Sequence, residues 1–200
     1  KKSTILYNVI DKDELFNKSN IASKKERFDI IYLGRLTEQK NPERLISVLN
    51  KITENNPLIK IAIVGTGDLE EIVKNMIWDY KLNSNIRLFG FLNNPYGILG
   101  NSKMMLMTSR WEGTPMCALE AMCLGIPIVS TPTDGLKDLI INGETGYLSD
   151  DNDVLVDRCS EIINNEELRR YLSQNTIQRA NQILDSEQYK NTLKSIYCKI

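Results

Sequence analysis

The sequence predicts an α/β chain, a three-layer α/β/α domain built on a mostly parallel sheet. Three observations carry this. Short apolar runs of strand length recur at Phe28–Leu33, Ile59–Val64, Ile86–Phe89, Met104–Met107, Ile126–Ser130 and Tyr147-Leu148. Segments with apolar residues at helical spacing separate most of them. Ile126–Ser130 is also a short apolar run fit for a parallel strand covered on both faces. Ligands of such sheets bind outside the carboxyl ends of the strands, where loops lead into helix starts.

Taken in order, residues 1–27 read as a linker-like segment. Ile5–Ile10 is its one apolar piece, and the Lys- and Asn-rich stretch Lys12–Arg27 reads as a connector or loop. Phe28–Leu33 ends at Gly34 and is followed by Arg35 and Lys40. Asn41 can cap a helix with Pro42 at its first position, and Leu45, Ile46, Leu49 and Ile52 form its stripe. Ile59–Val64 ends at Gly65-Thr-Gly67, with Asp68 as the cap of the next helix. After Ile86–Phe89 comes a loop through Leu92, then a short helix over Pro95–Asn101. Thr114 suits an N-cap and Pro115 the first helical position. Gly125 suits the left-handed residue that ends that helix. Gly135–Ile140 reads as a brief helix and Asn142–Gly146 as a turn. Asp153–Ile163 and Glu166–Leu184 complete a domain over residues 28–185, and residues 186–200 form a C-terminal helix.

The chain has 200 residues, 42% of them hydrophobic, and a formal net charge of −1. That balance suits an ordinary globular protein and gives no electrostatic case for nucleic acid. No apolar run approaches the roughly 20 residues needed to span a bilayer. There is no histidine, which removes Ser-His-Asp and Cys-His catalysis and any imidazole metal ligand. Cys117, Cys123, Cys159 and Cys198 lack CxxC spacing and read as idle thiols of a reducing compartment.

The chemistry-bearing residues gather on the loops at one sheet edge. Arg35 and Lys40 offer a guanidinium fork beside a point charge, a pair suited to a diphosphate. Taken alone they read equally well as two solvated cations. Glu112 and Glu120 stand with seven residues between them, one on the loop before a helix and one inside it. Spacing alone favours two solvated carboxylates around a capped core helix. The amides of Met116 and Cys117 would meet an anion between them. Gly65-Thr-Gly67 lacks the third glycine of a dinucleotide loop and reads as a tight turn. Asp150–Asp153 lacks the glycine and closing glutamate of a calcium loop and reads as a helix-capping turn. Trp111 can stack on a sugar or nucleobase, whereas Trp78 reads as packing its helix.

The segments YLGRLTEQKNPERLI, IAIVGTGDLEE, IRLFGFL, SRWEGTPMCALEAMCLGIPIVST and INGETGYL together resemble the C-terminal, donor-binding domain of retaining GT-B glycosyltransferases, family 4 or group 1. The resemblance covers roughly Tyr7 to Leu148. It implies a Rossmann-like domain forming one half of a GT-B fold, the acceptor-binding half being absent from these 200 residues and the domain nearly inactive alone. By the same resemblance Arg35 and Lys40 hold the donor diphosphate, and Glu112 accepts from sugar hydroxyls. The Met116 and Cys117 amides meet the distal phosphate, Glu120 accepts from the ribose, and the loop at Leu92 meets the base through its backbone. The resemblance further implies a UDP- or GDP-sugar donor, no required metal, and a saccharide or glycolipid acceptor of surface polysaccharide synthesis. The resemblance implies a cytoplasmic protein, with any membrane contact peripheral. A GT-B sugar-nucleotide epimerase, a phosphorylase and a non-catalytic nucleotide-binding module share the architecture. The pairing of GRL…K with EGxP…LEAM favours the transferase.

Overall fold

The computed structural model describes residues 9–21, 26–184 and 186–197. Six strands, β1 (Phe28–Leu33), β2 (Ile61–Val64), β3 (Ile86–Gly90), β4 (Ser102–Met107), β5 (Ile128–Ser130) and β6 (Gly146–Leu148), lie in the order β3-β2-β1-β4-β5-β6. Every pairing is parallel. The helices are α1 (Lys12–Ile21), α2 (Pro42–Asn55), α3 (Glu70–Asp79), α4 (Tyr96–Gly100), α5 (Met116–Cys123), α6 (Asp134–Lys137), α7 (Asn152–Asn164), α8 (Glu166–Ile183) and α9 (Ser186–Tyr197).

Consecutive strand residues serve opposite faces, and both faces are buried. Ile30, Ile61 and Met104 join one apolar cluster with residues of α2, α3 and α7. Their neighbours Ile31, Ala62 and Met105 join a second cluster with α1, α4, α5, α6 and α8. This double burial is why consecutive apolar residues fill the strand centres, as in Ile30–Leu33, Ile61–Val64 and Met104–Met107. Strand order reverses between β1 and β4, with Ile30 opposite Met104 and Ile31 opposite Met105. The crevice beyond the carboxyl ends of these two strands is therefore the place for a ligand.

The loops along that edge are bonded to one another. Gly34 N donates to Val64 O at 3.0 Å, Leu36 N to Thr66 O at 2.9 Å, and Gly65 N to Gly90 O at 2.8 Å. A Cβ on Gly65, whose φ is +136°, would lie 1.9 Å from Gly34 O. The glycine loop thus serves close backbone packing, as its incomplete motif indicates.

Four expectations need correction. Lys12–Ile21 is a helix rather than an unstructured connector. Asp11 Oδ1 accepts from Glu14 N at 2.9 Å, and Leu15 anchors the helix in the second apolar cluster. One buried leucine gives too weak a periodicity to read. Thr114 is not a cap: Pro115 occupies the N-cap position in extended backbone, with no side-chain cap bond. Asp68 does not cap α3 either, because Leu69 is the N-cap and its amide goes to Leu36 O at 2.9 Å. Trp78 is 73% exposed, since Val73 and Ile77 form the buried stripe of α3 and Trp78 lies outside it.

Other expectations match. Asn41 caps α2 with Pro42 next to it, and Gly125 is left-handed. Asp151 caps α7 by accepting from Asp153 N at 2.7 Å, so the acidic run is a capping turn. Cys123 and Cys159 are buried free thiols. Most of Ile5–Ile10 and all of Cys198 lie outside the described residues. Among the described residues no helix is long and apolar enough to cross a membrane.

Candidate active site

The site begins where β1 ends. Tyr32 is 2% exposed and its Oη donates to Arg35 O at 2.7 Å, fixing the bend that carries the Arg35 guanidinium out to solvent. Burial pushes the Tyr32 hydroxyl well above its ordinary pKa, so it stays a donor. A 3-10 turn at Glu38–Lys40 follows, closed by Asn41 in the left-handed conformation at φ 50°. Asparagine tolerates that conformation better than most residues.

The loop after β4 braces this turn. Thr108 Oγ1 lies 3.1 Å from Asn41 O and 3.3 Å from Lys40 O, and Arg110 N donates to Gln39 O at 2.8 Å. Thr131 Oγ1, at the end of β5, donates to Ser109 O at 2.6 Å. Gly135 N donates to Glu112 O at 3.2 Å. A Cβ at Gly135 would sit 1.3 Å from Gly113 O, so only glycine allows α6 to approach the Glu112 loop this closely.

These braces bring Lys40 and Glu112 together across 72 residues. Lys40 Nζ meets Glu112 Oε1 at 2.5 Å, with the two side chains 12% and 5% exposed. Ser109 Oγ donates to the same oxygen at 2.6 Å. Glu112 Oε2 lies 3.5 Å from Gln39 Nε2, a long contact that leaves lone pairs for other donors. Lys40 has three ammonium protons, so one salt bridge leaves it able to meet an anion.

Helix α5 starts beside this pair without a side-chain cap. Its own bonding opens with Ala118 N and Leu119 N, both to Pro115 O, at 3.1 and 3.3 Å. The Met116 and Cys117 amides precede those bonds at the positive end of the helix. Burial pushes the Cys117 thiol up to about 11, with Lys40 pulling the other way, so it is no nucleophile near neutral pH.

Glu120 stands one turn into α5 in a different setting. Tyr96 Oη donates to its Oε1 at 3.0 Å. Burial holds its carboxyl above the usual range, an effect the Tyr96 hydrogen bond opposes. Together with Met116 it lines a cleft of about 150 Å³ whose far wall is the start of α1. Leu92, half-buried, packs into the second apolar cluster and so fixes the loop after β3 near α4. Trp111 is 54% exposed, with its carbonyl held by Gln39 Nε2 at 3.1 Å. Among the described residues no group of three Asp, Glu, Cys or His side chains could hold a metal ion.

The structure therefore joins Lys40 to Glu112 directly and leaves Arg35 on the rim. Sequence reasoning missed Gln39, Ser109, Tyr96 and Gly135. Ser109, three residues before Glu112, was open to notice as a hydroxyl in reach of a loop carboxylate. Tyr96 gave no local signal, since its partner lies 24 residues away.

A family model described as glycosyl transferases group 1 matches residues 11–179. An uncharacterised glycosyltransferase of Methanocaldococcus jannaschii is 35% identical over 137 residues, 65% of this chain and 34% of that protein. The Escherichia coli UDP-Gal:alpha-D-GlcNAc-diphosphoundecaprenol alpha-1,3-galactosyltransferase is 34% identical over 148 residues, 72% of this chain and 38% of that protein. The chain thus spans little more than a third of the length of these two relatives. The crystal structure of Anabaena HepE in complex with UDP and glucose superposes with a TM-score of 0.86 at 18% identity, covering 98% of this chain and 57% of that one. At that identity the likeness concerns the fold, which is the Rossmann-like half of a GT-B architecture. With the family match spanning most of its length, the chain belongs to the group 1 glycosyl transferases.

Proposed function

We propose that these residues are the donor-binding half of a retaining glycosyltransferase, which takes a sugar from a nucleoside-diphosphate sugar and passes it to a saccharide or glycolipid. The observation that carries this reading is the meeting of the Lys40–Glu112 pair with the start of α5, whose N-cap Pro115 offers no side-chain cap, at the edge where strand order reverses. Lys40, Arg35 and the Met116 and Cys117 amides take the diphosphate. As the bond between sugar and phosphate oxygen breaks, the electron pair stays on that oxygen, and these fixed charges stabilise it. They supply the neutralisation that other transferases draw from a metal, so we propose that this one needs none. Glu112, held by Lys40 and Ser109 on one oxygen, accepts from sugar hydroxyls on the other. Glu120 accepts from the ribose, and the backbone near Leu92 meets the base.

The acceptor is bound by a second domain in this reading. The name of the Escherichia coli relative gives it a lipid-linked saccharide acceptor, which supports a role in surface polysaccharide synthesis at a membrane face. Calorimetric titration with UDP-glucose and GDP-glucose in EDTA tests the donor reading. One of them binds, and Arg35→Ala weakens it about tenfold, the worth of a charge-assisted hydrogen bond. Absence of heat with both sugar nucleotides overturns it.

A further inference from the structure

We propose that Tyr96 is a positioning residue for the nucleoside, its hydroxyl turning the Glu120 carboxylate so that one oxygen is held and the other faces the ribose. This rests on the donor-site reading above. The geometry comes from three elements. Tyr96 opens α4, where its amide donates to Asn94 Oδ1 at 3.2 Å, and its Oη reaches across to Glu120 Oε1 on α5 at 3.0 Å. Both residues line the cleft of about 150 Å³, and the opposite wall is closed by Ile10 and Asp11, just before α1, with Glu14 and Lys18 of α1.

A carboxylate has about four acceptor positions, and the phenol uses one of those on Oε1. The remaining positions can take both hydroxyls of a ribose cis-diol. The contrast with Glu112 explains why a neutral donor is needed. Among the described residues Glu120 forms no ion pair. The charged or titratable groups around it are Asp11 just before α1, Glu14 and Lys18 of α1, Tyr96 of α4, and Cys117 and Cys123 of α5. Lys18 is already paired with Glu14 at 2.6 Å. The Tyr96 hydroxyl is therefore the donor that favours the ionised form of Glu120 and fixes its rotation.

The test measures UDP and pyrophosphate binding to the wild type, Tyr96→Phe, Glu120→Gln and the double variant between pH 5 and 8. Tyr96→Phe should weaken UDP about two- to tenfold, the worth of one hydrogen bond. The ratio to wild type should grow as pH falls, because Glu120 then takes up its proton more readily. Pyrophosphate, which has no ribose, should bind both proteins alike. In the Glu120→Gln background Tyr96→Phe should remove little more. A ratio that stays constant with pH, equal weakening of pyrophosphate, or an undiminished effect in the Glu120→Gln background overturns the proposal while UDP binding by the wild type stands. Failure of the wild type to bind UDP overturns the donor-site reading and this inference with it.

Discussion

Glu112 and Glu120 flank the start of one helix, yet the protein treats them in opposite ways. Glu112 is charge-paired: Lys40 and Ser109 both donate to Oε1, and its side chain is 5% exposed. Glu120 has a neutral phenol for a partner, and burial lifts its carboxyl above the ordinary range. The difference teaches how each would serve a ligand. A paired carboxylate is held rigid, with its cation able to turn two further protons to a phosphate. A carboxylate without a cation keeps a penalty for its charge that incoming hydroxyls can relieve.

Removing the cation breaks this contrast most strongly. Lys40→Ala leaves Glu112 buried and unpaired, and should lower the unfolding free energy by about 3–5 kcal/mol in urea denaturation. Glu112→Gln added to Lys40→Ala should recover part of that loss. Ser109→Ala removes one donor to a charged acceptor and should cost about 1.5–3 kcal/mol in the same assay. Both should leave the stability contribution of Glu120 untouched.

Glu120→Gln should act with the opposite sign and the smallest size. The folded pKa of Glu120 is raised, so the folded protein keeps this proton to higher pH than the unfolded chain. Its contribution to stability is full below the unfolded value and is lost as pH rises through the folded one. At neutral pH the charge is a cost, which glutamine removes while still accepting from Tyr96. Thermal melts should show the variant gaining stability over wild type at pH 7, with the gain vanishing at acid pH, where both side chains are neutral. A Glu120 variant less stable than wild type at pH 7 would place this carboxylate with Glu112 and erase the distinction.

The two carboxylates also show what the sequence could and could not disclose. Phe28–Leu33 is legible because a strand covered on both faces carries consecutive apolar residues, here Ile30–Leu33, and a glycine ends it. Asn41-Pro42 marks the start of α2 through local chemistry alone. The helix over Lys12–Ile21 escaped reading because its anchorage comes from Leu15 and from a cap at Asp11, not from a repeating stripe. Lys40 and Glu112 were legible as candidates, but their pairing depends on braces from Thr108, Arg110, Thr131 and Gly135 that only folding brings together. Tyr96 was silent for the same reason: its hydroxyl acquires meaning only once α4 and α5 lie side by side. Trp78 misled because helical spacing ranks residues by face, and a large apolar side chain beside the stripe looks like part of it.

The most direct measurement is a crystal structure of the chain with UDP bound. The account predicts the distal phosphate between Lys40 Nζ and the Met116 and Cys117 amides. It also predicts the Lys40–Glu112 contact intact and the ribose hydroxyls on Glu120. UDP bound away from the carboxyl ends of β1 and β4, or a diphosphate that touches neither Lys40 nor the start of α5, would contradict it.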